Sequence, residues 1–327
     1  MICAGKGHAQ AVEDFYRNKQ IRLIIGNPPG GDYDLGGRLL VRYMRRHIPG
    51  MPNIVVQNMP GASTFVAANY LYNVAPKDGS VFGSFSRNLA SQAVLGRDNL
   101  KVDPRQFGWI GGSSYPSRIC AVATASQIKT VADLFARELI VAGAGAGSSL
   151  SIVPTVLNRV LGTKFRVVEG YKGSGDAIIA LERGEVEGIC HTFSSFGNSH
   201  AELISSGKIR ILFHAEEGSF PDVPGVPSIY DFAKTDEQKY MMQFLFSNVE
   251  FGRPYVAPPG VPTDRLAALR TAFKETLKDT DFILEASRSK LDVSYRSAED
   301  LSALVEKLYA TPRQLIDQAR DLMPAAD

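Results

Sequence analysis

Short β-branched runs alternate with helical stretches along almost the whole chain, and that alternation restricts it to an α/β architecture built on mainly parallel sheets. Ile21–Ile25 precedes Leu35–Ile48, where Leu35, Leu39, Tyr43, Met44 and Ile48 fall on one helical face; Ile54–Gln57 precedes Thr64–Val74, and Val81–Phe85 precedes Leu89–Leu95. The rhythm restarts with strand Ile119–Val122, helix Val131–Ala136, strand Leu139–Ala142, helix Leu150–Leu161, strand Phe165–Val168 and helix Asp176–Arg183. Strand Val186–Cys190, helix Phe196–Ser206 and strand Ile209–Phe213 complete this second series. Prolines at 221, 224 and 227 make Ser219–Pro227 a surface loop, after which helix Thr235–Phe246 and the run Gly252–Val256 lead away. Pro258–Thr263 breaks the chain again before helices Asp264–Leu277, Asp281–Ser289, Ala298–Tyr309 and Arg313–Leu322. The pattern predicts two lobes, residues 1–117 with 251–327 and residues 118–250, with the C-terminal helices free to pack back on the second. More than one segment crosses between them, which favours a hinge.

At 327 residues, with 44% hydrophobic and 21% charged content, the chain can fill two cores of ordinary size. A net charge of +2 excludes the broad basic field that nucleic acid or an anionic membrane requires. Arg38, Arg42, Arg45, Arg46 and His47 have helical spacing and read as a solvated helix face. No apolar run approaches the roughly 18 residues of a membrane span. Ala9-Gln10-Ala11 has the small-X-small pattern that ends a secretory leader, so the start of the chain reads as a truncated or replaced leader and leaves export open. Cys3, Cys120 and Cys190 lack Cys-X-X-Cys spacing; the latter two lie in apolar strand-like runs, where buried free thiols are expected ahead of a bridge.

Several strand-to-helix turns share one character. In the first lobe they are Pro29, Gly30, Gly31, Asp32 and Tyr33, then Ser63 and Thr64, then Ser86 and Arg87. In the second they are Gly145, Ala146, Gly147, Ser148 and Ser149, then Tyr171, Gly173, Ser174 and Gly175, then Thr192 and Ser194. Such turns gather at the carboxyl ends of a parallel sheet, where ligands bind. A helix start carries unpaired N–H groups and partial positive charge, and glycine lets a ligand approach closely, so a carboxylate or phosphate is the natural guest. The bland reading of Ser63, Ser148 or Ser174 is a helix cap, and recurrence of the pattern is what points to a site. Asp34 reads as a residue that caps the following helix and orients the Gly30-Gly31 turn; Asp32 is an uncomfortable neighbour for an anion.

Catalytic readings are weaker. Gly143-X-Gly145-X-Gly147 suggests a nicotinamide-cofactor oxidoreductase as the alternative, but the third glycine should lie three residues after Gly145, where Ser148 stands, and Glu169 stands 26 residues beyond Gly143 rather than about twenty. Cys190 and His191 are neighbours on a strand and face opposite ways, so they cannot pair as nucleophile and base. The five histidines have no metal-ligand spacing. Neither an enzyme, a cofactor nor a metal is expected.

The order of motifs resembles one family. Ile21–Gly26, the Gly30-Gly31 turn running to Arg38-Leu39-Leu40, Val55–Ala62, Ala75-Pro76-Lys77-Asp78-Gly79, Tyr171–Gly175, Asp222–Pro227 and Ala257–Pro262 are similar to the Bug family, extracytoplasmic solute receptors of tripartite tricarboxylate transporters. The resemblance runs from about Lys19 to Met323. It implies a periplasmic, monomeric, two-lobed protein of type II periplasmic-binding-protein architecture, with a ligand cleft between mainly parallel sheets. Such a protein closes on a small organic carboxylate and delivers it to membrane permease subunits. It also implies that Gly145, Gly147, Ser148, Ser149, Tyr171 and Gly173 to Gly175 hold the proximal carboxylate, with waters bridging from Pro29–Gly31. Asp32 and Ala62-Ser63 depart from the usual pattern, and Arg87 is a counter-charge for a distal carboxylate or a helix-end salt bridge.

Overall fold

The computed structural model describes residues 4–114, 117–144, 148–171, 173–193, 201–289 and 291–322. The chain divides into two compact units, Met1–Tyr115 with Glu250–Ala310 and Pro116–Val249 with Thr311–Pro324.

The first unit holds strands β1 (Gln20–Ile25), β2 (Asn53–Asn58), β3 (Val81–Ser84) and β4 (Gly108–Gly112), with β10 (Pro254–Ala257) inserted late in the chain; the sheet order is β2-β1-β3-β10-β4. The second holds β5 (Arg118–Ala123), β6 (Leu139–Ala142), β7 (Phe165–Val168), β8 (Gly188–Thr192) and β9 (Ile209–His214) in the order β7-β6-β8-β5-β9. The two sheets have the same plan. In each, β-α-β units lay down the parallel strands, and one antiparallel strand sits fourth in the order: β10 pairs antiparallel with β3 and β4, and β5 with β8 and β9. Both antiparallel strands follow a passage of the chain from one unit to the other, so each sheet is mixed where a purely local rhythm would make it parallel.

Helix Asp32–Met44 shows how the sequence builds the first layer. Its buried face, Leu39, Leu40, Val41 and Met44, packs on Ile21, Leu23 and Ile25 of β1. Two adjacent glycines in its first turns cost helix propensity, roughly 1 kcal/mol each, but allow close approach: a Cβ on Gly37 would lie 2.6 Å from Ile25 Cδ1, and one on Gly36 would lie 2.4 Å from Arg253 Nη1. The basic cluster on this helix is more than a solvated face. Arg42 pairs with Glu285, while Arg46 and His47 both reach Asp279, at 3.3 and 3.2 Å, joining the helix end to the region of helix Thr280–Arg288. In the second unit, Ile119 and Ala121 of β5, Ala142 of β6, Ile189 of β8 and Leu150 of helix Ser149–Leu161 form the core. The last helix, Arg313–Leu322, contacts this unit through Gln318, which donates to Glu237 at 3.3 Å.

Ala9-Gln10-Ala11 lies in a helix, Ala4–Tyr16, whose Val12 and Tyr16 are buried in the first core and whose Tyr16 hydroxyl donates to Gly79 O at 3.1 Å. Two features differ from the sequence reading. Strand β4 carries little signal in the sequence, because glycine, depleted in strands, fills three of the five positions of Gly-Trp-Ile-Gly-Gly; its glycines make room for Leu266, Phe273 and Arg296. Cys120 and Cys190 are not free thiols. They stand opposite each other in the β5–β8 register, both buried, and form a disulfide.

Candidate functional site

In the first unit the predicted turns follow β1, β2 and β3, and specific side chains tie them together. Asp34, 2% exposed, is the anchor of the first turn. Its carboxylate accepts Gly30 N–H at 2.9 Å, Arg38 Nε–H at 2.9 Å and Asn58 Nδ2–H at 2.9 Å. Burial pushes this carboxyl upward, but the bonds from Arg38, Gly30 and Asn58 together outweigh it and hold its pKa below the ordinary 3.8. Asp34 is thus occupied in orienting the Gly30 turn. Asp32 at the helix start is exposed.

The second turn is strained. Gly61, Ala62, Ser63 and Thr64 have φ of 140, 44, 52 and 79° in succession, and three of these four left-handed residues carry a Cβ. Each such residue costs on the order of 1–2 kcal/mol. Thr64 Oγ1 is held by Ser86 N–H at 3.2 Å, and the absence of a side chain on Gly26 admits it, since a Cβ there would lie 2.6 Å from Thr64 Cβ. The third turn joins the first through Tyr33, whose hydroxyl accepts Arg87 N–H at 3.1 Å and donates to Gly252 O at 3.3 Å. Pro29, Gly31 and Ser63 are exposed, whereas Ser86 and Arg87 are half-buried.

In the second unit the loop after β6 opens helix Ser149–Leu161. Gly145, Ala146 and Gly147 lie outside the described residues, as does Ser194. Ser148 is the helix N-cap, its hydroxyl accepting Ser151 N–H at 3.3 Å. Ser151, 2% exposed, gathers the loop: its Oγ accepts Ala144 N–H at 3.2 Å, lies 3.1 Å from Ser148 Oγ and donates to Glu169 Oε2 at 3.0 Å. Glu169 therefore packs over Gly143, where a Cβ would meet its Oε2 at 2.5 Å. Tyr171 N–H donates to Gly143 O at 3.2 Å, so the loops after β6 and β7 are adjacent. Gly173 is the N-cap of helix Ser174–Glu182, with Ser174 and Gly175 its first residues. Thr192 ends β8, with Oγ1 3.2 Å from His191 Nδ1.

Some participants escaped the sequence reading. Asn58 donates to both Asp34 and Asn27 O; Ser151 and Glu169 organise the β6 loop; and Arg118, 2% exposed at the start of β5, donates to Asn248 at 3.2 Å. Only a Ser three residues into a glycine-opened helix carried any local signal, that of a capped turn. A cavity of about 430 Å³ beside helix Asp32–Met44 is lined by Leu35, Arg38, Leu39, Arg42, Glu285, Ser289 and Leu291, none of them a predicted site residue. Among the described residues no group of three or more His, Cys, Asp and Glu could hold a metal ion, and no helix is long and apolar enough to cross a membrane.

The sequence profile described as tripartite tricarboxylate transporter family receptor matches residues 40–321. The chain belongs to this receptor family. It is 23% identical over 317 residues to the UPF0065 protein in the gbd 5′ region of Cupriavidus necator, covering 95% of this chain and 90% of that one. Among solved structures, a TctC solute binding protein from Polaromonas, without ligand, is 21% identical with a TM-score of 0.73 over 93% of this chain and 99% of that chain. MatC from Rhodopseudomonas palustris, with bound malate, is 21% identical with a TM-score of 0.54 over 93% of this chain and 98% of that one. These likenesses establish the fold, two mixed sheets flanked by helices in a two-unit chain.

Proposed function

We propose that this receptor captures a small organic carboxylate, without chemical transformation, and hands it to the membrane permease of a tripartite tricarboxylate transporter. One observation carries the reading: in a chain of this family, the loop after β6 ends on the N-cap of helix Ser149–Leu161 and is braced by Ser151. Unpaired N–H groups and the positive end of the helix favour a carboxylate there. MatC supports the choice of solute class, since malate is bound in it. By the same reading, the turns Pro29–Tyr33 and Ser86–Arg87 of the first unit face solute. The Cys120–Cys190 disulfide supports work outside the cytoplasm, where such bonds persist.

Glu169 refines the solute. A carboxylate fixed against the anion loop repels a bare carboxylate and offers an acceptor to a hydroxyl or ammonium group beside it, so a hydroxy or amino acid suits this loop better than an unsubstituted acid. A thermal-shift panel of L-malate, L-glutamate, succinate and benzoate, followed by calorimetry, tests the proposal. Saturable binding of malate or glutamate is expected, with succinate weaker. Glu169→Gln is expected to tighten succinate about two- to fivefold, as one repulsive charge is removed. A wild-type chain blind to all four acids, or one that instead binds a reduced nicotinamide cofactor, would overturn the reading.

A further inference from the structure

Arg253 precedes β10, just after the chain re-enters the first unit at Glu250, and is 7% exposed. Burying a guanidinium costs several kcal/mol unless its donors are well used. Here they converge on backbone and one hydroxyl. Nε donates to Ser114 Oγ at 3.3 Å, Nη1 to Asp32 O at 3.4 Å, and Nη2 to Asp292 O. The start of helix Asp32–Met44 is shaped around this group, because Gly36 leaves open the space that Nη1 occupies.

The preceding residue is equally constrained. Gly252 has φ +55°, and a Cβ on it would lie 1.7 Å from Ser114 O, so only glycine fits. Its carbonyl accepts the Tyr33 hydroxyl, which also holds Arg87 N–H. One dipeptide thus fixes Asp32 and Tyr33 of the first turn and, through Tyr33, the third. No local sequence pattern relates residues 32, 87, 114 and 253.

We propose that Arg253 is a positioning residue for solute binding: together with the Tyr33 hydroxyl it sets the geometry of the Pro29–Tyr33 and Ser86–Arg87 turns from the segment on which the chain returns to the first unit. It holds the turns without touching solute. This inference rests on the carboxylate-receptor reading. Arg253→Lys keeps the charge but loses the fork that reaches three acceptors at once, and Tyr33→Phe removes one hydroxyl with little loss of packing.

Hydrogen exchange of the solute-free protein and calorimetry with the four acids named above, applied to both variants, test it. Exchange is expected to accelerate about tenfold in peptides spanning residues 28–34 and 85–89 but not in β1, and affinity for the acids that bind wild type is expected to fall about tenfold in Arg253→Lys, equivalent to roughly 1.4 kcal/mol. The double variant should lose less than the product of the two single losses, since both groups hold one turn. Unchanged exchange in the two turns of both variants, or faster exchange with wild-type affinity, overturns the inference. Failure of wild type to bind any of the acids overturns the receptor reading itself, and the solute role of Arg253 with it.

Discussion

Replacing Cys120 and Cys190 together by alanine is expected to lower the unfolding free energy by about 2–4 kcal/mol. The two residues close a loop with a sequence separation of 70 and face each other in the middle of the second sheet. For a loop of that length the chain-entropy model gives about 4 kcal/mol, an upper figure because the unfolded chain retains some structure. Alanine is the informative replacement: both side chains are buried among apolar neighbours, so the variant introduces no unsatisfied polar group. In urea unfolding followed by circular dichroism, wild type with reductant should move to the midpoint of the double variant, and the variant should ignore reductant. A wild-type midpoint indifferent to reductant would count against the bond.

Asp34→Asn is expected to cost about 2–3 kcal/mol at neutral pH. The carboxylate accepts three donors, and the amide that replaces it must point its own NH₂ at one of them, leaving a buried donor without an acceptor. The pH dependence has a definite sign. Because the folded pKa of Asp34 lies below its ordinary 3.8, its stabilisation is fully present above that value and disappears as pH falls through the folded value. Asp279 behaves alike: burial raises its carboxyl, but bonds from His47, Phe282 and Asp281 and the charge of Arg46 bring it below the ordinary range. Chemical denaturation should therefore show wild type and Asp34→Asn separated at pH 7 and converging below pH 3.8. Equal midpoints at pH 7 would remove Asp34 as the anchor of the Gly30 turn.

Much of the second unit was legible because its signals are local. Strands β6 and β7 begin and end where the β-branched runs do, and Ser148 caps the helix that its position suggested. In the first unit, the helix Ala298–Tyr309 likewise matches its periodic pattern residue for residue, with Ser297 and Asp300 forming a capping box. Strand β4 was missed because three of its five residues are glycine; its strand character comes from pairing with β10, which arrives more than 140 residues later.

By itself the sequence determined the α/β class, the glycine and hydroxyl turns at strand ends, and the motif order of the receptor family, since strand alternation, helix periodicity and turn chemistry are written within a few residues of one another. Tertiary structure alone decided which turns are tied together and by what: Asn58 to Asp34, Tyr33 to Gly252, Arg253 to Asp32, Ser151 to Glu169, and Cys120 to Cys190. Most of these partners are many residues apart. Their meeting depends on sheet order and on close approaches permitted at Gly36, Gly143 and Gly252, and no local pattern of residues encodes either.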